Sequence, residues 1–213
     1  MNITLSSLPA AYINLDSRAD LSTTFLEAIS DLGYNNVTRY VREEDVEGKL
    51  FSGVMKSNKA VMAAMKASNS YPFTFFEDDV RGLNYSDTIT VPDNADAVYL
   101  GLAVFGEGFE VTPVEGFPGV YKINKPIGLH SVLYITKRYI DAFEAALDAE
   151  ISSGFANASQ PINQIIQYPL AKEFNVYAVN PIFYKHAIDD PTTANLTRIV
   201  DITKDKIDPI NFG

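Results

Sequence analysis

With 213 residues, 46% of them apolar, the chain has enough material for one core of ordinary domain size and too much apolar content for disorder. Seventeen basic residues against 27 acidic ones leave a formal charge of −10, which repels phosphate backbones at long range and disfavours a general nucleic-acid binder. The absence of cysteine excludes disulfides, thiolate metal sites and a thiol nucleophile.

The opening stretch, MNITLSSLPAAYINLD, has no basic segment leading into an apolar run. No apolar stretch approaches the roughly 20 residues of a membrane span. The expectation is a soluble, cytoplasmic protein. AAYINL (10–15) reads as a buried strand running into the polar Asp16, Ser17 and Arg18. Leu21, Phe25, Ile29 and Leu32 then recur at helical spacing, and Gly33 marks the stop. NNVTRYV (35–41) reads as a second strand, so the opening follows the strand–helix–strand order of a mostly parallel sheet.

Residues 53–67, rich in helix formers, predict a helix whose Val54, Met55, Val61, Met62 and Met65 pack into the core. SNSYP is a turn and FTFF (73–76) a strand. ADAVYLGLAVF (95–105) is a strand buried on both faces, which would make Tyr99 a core residue. The Gly- and Pro-rich stretch 106–120 predicts a loop or hairpin, VYKI (120–123) a strand, and HSVLYIT (130–136) a strand or strand–helix junction holding Tyr134. An amphipathic helix follows over 137–151. INQIIQYPLAKEF is expected to be helical up to Pro169, NVYAVNPIFY (175–184) to be a strand, and the tail from 186 to be irregular. No repeat or linker divides the chain, so one α/β domain spanning 1–213 is expected.

Chemistry concentrates in FTFFEDDV, where an apolar strand runs into Glu77, Asp78 and Asp79. Three adjacent carboxylates repel one another unless water or a cation offsets them. Either this is a solvated turn or it is a hard oxygen site suited to Mg²⁺ or Mn²⁺, fixed in place by the strand. A mostly parallel sheet would put Asp16 and Glu77–Asp79 at the carboxyl edge, where open α/β sheets bind ligands. No glycine-rich phosphate loop and no Gly-x-Ser-x-Gly elbow is present, and His130 and His186 form no short metal-binding pair. His130 is expected to pack rather than line a site.

Together these stretches resemble glycosyltransferase family 25. AYINLDSRAD compares with the family's opening I-N-L-D-x-R-x-D-R through Ile13, Asn14, Leu15, Asp16, Arg18 and Asp20. GVMKSNKAV compares with its G-x-x-x-S-H through Gly53 and Ser57, and FTFFEDDV with its strand ending in E-D-D. ADAVYLG supplies Asp96, Tyr99, Leu100 and Gly101 of a D-x-x-Y-L-G pattern. GLHSVLYIT and VYAVNPIFYKH compare with later segments. The chain departs from the family at Leu21 and Asn58, where arginine and histidine are expected, and at Asn163, where an aspartate is common.

The resemblance implies a GT-A-type, Rossmann-like fold and a hexosyltransferase acting from a UDP-sugar onto a hydroxyl of a glycan, a protein or a modified base. It implies that Asp79 holds Mn²⁺ or Mg²⁺, with His186 completing the metal site. Glu77 or Asp78 would orient ribose and sugar, Asn14 and Asp16 would contact uracil or ribose, and Arg18 the diphosphate. Asp78 or Asp96 would be the base if the enzyme inverts. A DNA acceptor would require Lys56, Lys59, Lys66 and Arg81 to cluster at the cleft. The alternative is a non-catalytic nucleotide-sugar-binding or assembly protein that keeps the fold.

Overall fold

The computed structural model describes residues 1–103, 109–157, 160 and 162–186. The predicted opening unit forms as β2 (Ala10–Asn14), α1 (Ala19–Ser30) and β3 (Val37–Val41), preceded by a short β1 (Asn2–Thr4). Next come α2 (Ser52–Ala67), β4 (Phe73–Glu77), β5 (Val80–Gly82), β6 (Thr88–Thr90), β7 (Ala97–Ala103), β8 (Val111–Pro113), β9 (Val120–Ile123) and β10 (Ile127–Tyr134). The chain continues through α3 (Lys137–Ser152), a π-helical turn (Asn163–Gln167), α4 (Tyr168–Glu173), β11 (Val176–Val179) and β12 (Tyr184–His186).

Eight strands form a mixed sheet in the order β3-β2-β4-β10-β7-β11-β9-β8. β2 runs parallel to both β3 and β4, β11 runs parallel to β7, and β10 is antiparallel to both of its neighbours. This is the α/β architecture that the opening predicts and the Rossmann-like fold that the resemblance implies. Alternation along β4 explains FTFF. Phe73 and Phe75 pack with the α2 methionines and with Ile140, Phe143 and Leu147 of α3, whereas Phe76 packs on the other face with Tyr12, Phe25 and Ile29. A strand buried on both faces has no freedom to slip, so the acids that follow it are held at a fixed point.

Two expectations are corrected. The helix does not end at Pro169, because the proline falls in the first turn of α4, where no intrahelical donor is needed. Residues 175–184 are not one strand. β11 stays in the sheet, while β12 leaves it to pair antiparallel with β5. The β1–β6 and β5–β12 ribbons were not anticipated, since three residues carry no readable periodicity. Residues 104–108 and the tail beyond 186 lie outside the described residues, while β8 and β9 form the later part of the expected hairpin. Among the described residues no helix is long and apolar enough to cross a membrane.

Candidate functional site

Because β2, β3 and β4 are parallel, their carboxyl ends open on one edge and bring together Asn14, Arg42 and Glu77–Asp79. A cleft of about 280 Å³ lies there. Ile13, Phe51, Val54, Leu129 and Ile162 supply its apolar walls, and Arg42, Glu77, Asp78, Asp79 and Asn163 supply its polar groups.

Asn14 organises this edge. It is fully buried, and its Nδ2 donates to Asp78 Oδ2 (2.6 Å) and to the Arg18 carbonyl (2.9 Å). Its Oδ1 accepts from Arg39 Nε (3.0 Å), and Arg39 also pairs with Asp16 at 2.7 Å. Both amide hydrogens and one lone pair of the amide oxygen are therefore engaged within the chain. Within the chain, Asn14 is the residue that positions Asp78. Burial raises the proton affinity of Asp78, the charge of Asp79 adds to this, and the Asn14 bond and the Arg18 charge oppose it. The result is a carboxyl held above its ordinary range, as suits a group that takes up a proton. Arg18 and Asp16 are exposed at the rim.

Arg42 lines the cleft, and Gly53 and Ser57 explain why the segment 42–45 that carries it is held in place. The Arg42 amide donates to the Asn14 carbonyl (2.8 Å). Ser57 Oγ accepts from the Glu43 amide (2.9 Å) and donates to the Gly53 carbonyl (2.7 Å). Asp45 accepts from the Gly53 amide (2.7 Å), occupying a donor at the start of α2. A Cβ on Gly53 would lie 2.1 Å from the Glu43 carbonyl oxygen, so the backbone passes only over glycine. Asn58, one position on, is buried and donates to the Val54 carbonyl inside α2, so it sits in the helix core rather than in the cleft. Asn163 does line the cleft, with its Nδ2 3.4 Å from the Tyr168 hydroxyl.

Sequence reasoning missed Arg42. The signal was present: a basic residue immediately follows β3, and a parallel β3 must deliver it to the same edge as Asp16 and Glu77.

Asp96 is placed elsewhere. It precedes β7, whose start aligns through Tyr134 with Phe73, the amino end of β4. Four strand residues, roughly 13 Å, separate that end from Glu77. Arg138 grips Asp96 bidentately (2.7 and 2.6 Å), Thr136 Oγ1 donates at 2.6 Å and the Asn175 amide at 2.9 Å. Burial alone would raise its proton affinity, but these bonds outweigh burial and hold the carboxyl below its ordinary range. Asp96 is thus held as a structural anchor, and the cleft at the carboxyl edge is not lined by it.

The ribbon brings His186 close to the acids: its backbone pairs opposite Val80, the residue after Asp79. Tyr99 and Tyr134 are core residues, as expected. His130 is buried as well, its ring occupying the space that a Cβ on Gly101 would need. Lys56 pairs with Glu43, Lys59 with Asp148, and Lys66 with Asp141 and Glu144. Lys59 and Lys66 tie α2 to α3, and Arg81 donates to its neighbour's carbonyl, so the basic cluster that a DNA acceptor requires does not form at the cleft.

For a divalent cation, the donor set is of one kind. Among the described residues no three His, Cys, Asp or Glu side chains converge on a common point. Glu77, Asp78 and Asp79 fit the arrangement in which Mg²⁺ or Mn²⁺ takes one or two carboxylates and completes its shell with water and substrate phosphates.

No protein-family model matches the chain, and no curated protein matches its sequence. Solved structures do match. A nucleoside-diphosphate-sugar pyrophosphorylase from Vibrio cholerae is similar at 14% identity and a TM-score of 0.50, over 91% of this chain and 82% of that one. A glycosyltransferase involved in the glycosylation of the major capsid of PBCV-1 has a TM-score of 0.43 at 10% identity, covering 81% and 92%. A CTP:phosphocholine cytidylyltransferase from Streptococcus pneumoniae has 0.40 at 9%, covering 88% and 97%. The chain shares its overall fold with the Vibrio cholerae pyrophosphorylase.

Proposed function

We propose that this protein is a metal-dependent glycosyltransferase, similar to family 25, that moves a hexose from a UDP-sugar to a hydroxyl of a glycan or protein in the cytoplasm. One observation carries the reading. Glu77, Asp78 and Asp79 leave a strand buried on both faces and line a cleft at the carboxyl edge of the sheet, on a fold shared with a nucleoside-diphosphate-sugar enzyme. Asp79, with His186 beside it in the ribbon, would hold Mn²⁺ or Mg²⁺. Such a cation supplies Lewis acidity to a departing diphosphate without a proton. Glu77 orients the donor, and Asp78, kept proton-hungry by burial and fixed by Asn14, takes the proton of the acceptor hydroxyl.

The second reading is a nucleotide-sugar-binding or assembly protein without turnover. The observation behind it is Asn163, which puts an amide in the cleft where the resemblance expects a carboxylate. Calorimetry with UDP and Mn²⁺ tests both readings, and the absence of any binding sinks both. UDP release from a panel of UDP-sugars then separates them: release with Mn²⁺, lost in Asp79→Asn, supports transfer, whereas binding without release supports the second.

A further inference from the structure

Arg42 lines the cleft, whereas Arg18 is exposed and does not line it. Arg39 is neutralised by Asp16 and Lys56 by Glu43. Among the described residues Arg42 has no ion pair, and its Nε is buried without an acceptor, although it lines the same cleft as Asp78 and Asp79. A buried guanidinium N–H without a partner is unfavourable unless a ligand supplies the acceptor. The backbone beneath it is clamped on both sides, to Asn14 of β2 and, through Glu43, to Ser57 of α2. The side chain is therefore presented from a fixed base and is not carried on a loose loop.

Charge specifies the ligand. Asp78 brings negative charge to the same cleft, so an anionic donor bound there needs a fixed cation, and Arg42 lines the cleft. A guanidinium presents planar, paired N–H donors that match two oxygens of a phosphate.

We infer that Arg42 is the diphosphate anchor of this cleft, gripping the nucleotide's phosphate oxygens beside the acids that line it. This rests on the nucleotide-sugar reading above and extends it. In transfer, the bond from C1 of the sugar to the β-phosphate oxygen breaks and its electron pair stays on that oxygen. The acceptor oxygen bonds to C1, and its proton passes to Asp78. Negative charge grows on the diphosphate as this happens, so Arg42 binds the transition state more tightly than the ground state.

Calorimetry of the wild type, Arg42→Gln and Arg42→Lys against UDP, uridine and inorganic pyrophosphate, with and without Mn²⁺, tests this. Arg42→Gln is expected to weaken UDP and pyrophosphate about ten- to a hundredfold and to leave uridine unchanged, with Arg42→Lys between. Circular dichroism confirms that each variant is folded. A loss that extends equally to uridine means a collapsed wall and overturns the assignment, as does UDP binding that Arg42→Gln leaves intact. Wild-type protein that binds pyrophosphate through Arg42 but not UDP keeps the anchor and defeats the nucleotide-sugar reading. Binding of neither defeats both.

Discussion

Asp96 and Asp78 both flank buried strands of one sheet, and the fold treats them in opposite ways. At the amino end of β7, Asp96 receives a bidentate Arg138, the Thr136 hydroxyl and the Asn175 amide, and its charge is fully met. At the carboxyl end of β4, Asp78 receives one amide from Asn14 and has another carboxylate as its neighbour. The first arrangement stabilises the native state. The second leaves charge unmet, which makes it available to a cation, a proton or a substrate. A carboxylate next to an apolar strand is therefore uninformative until its strand end is known.

The contrast is sharpest where function and stability separate. Asp79→Asn is expected to lower sugar transfer about a thousandfold, close to 4 kcal/mol of transition-state stabilisation, by removing the proposed cation ligand. Its melting temperature should stay near that of the wild type, and a loss of both would place Asp79 with the structural acids. Asp96→Ala reverses the pattern. It strips partners from Thr136 and from the Asn175 amide and leaves Arg138 without its acid, costing about 3 kcal/mol of stability by urea titration. Uridine and UDP affinities of the folded fraction should hold. The carboxyl of Asp96 is depressed in the folded state, so its contribution is present above the ordinary Asp range near pH 4 and is lost as pH falls through the lower folded value. Asp96→Asn should accordingly flatten the acid limb of the stability curve.

How much of this was legible in the sequence depends on the range of the interactions involved. β2, α1, β3, α2, β4, β9 and α3 follow from local periodicity, and the parallel pairing of β2 with β3 follows from strand–helix–strand order. The expectation of a mostly parallel sheet set Asp16 and Glu77–Asp79 on one edge, and the parallel pairing of β2 with β4 places them there. The opposite placement of Asp96 was not legible, because it depends on β10 inserting antiparallel between β4 and β7, a pairing across more than thirty residues with no local signature. The role of Asn14 was hidden for a similar reason: its amide acts on a residue 64 positions away. The Gly53 and Ser57 spacing was visible as a pattern, but its cause was not, since the backbone they clamp lies eight or more residues upstream.

Asn14→Ala probes whether the two acids differ through their partners or through their positions. The substitution removes the donor to Asp78 and the acceptor for Arg39, at a cost of about 2 kcal/mol of stability. With its one opposing amide gone, Asp78 should hold its proton still more tightly, and the pH at which transfer reaches half its maximum should move upward. An unchanged pH profile would falsify the assignment of Asn14 as the positioning residue for Asp78.

The smallest effect carries the opposite sign. The folded-state pKa of Asp78 is raised, so the native state binds its proton more readily than the unfolded chain does. The ionised carboxyl therefore costs stability, and this cost appears as pH rises past the ordinary Asp value and is complete above the folded one. Asp78→Asn keeps an oxygen to accept from Asn14 and removes the charge beside Asp79. It should stabilise the protein at pH 7 by less than about 1 kcal/mol, because solvent reaches the carboxyl and screens much of the penalty. The same change should abolish proton uptake from the acceptor hydroxyl. A gain in melting temperature together with a loss of transfer is the pattern of an acid retained for chemistry at the expense of the fold. Asp96, whose neutralisation only weakens the protein, cannot show that pattern.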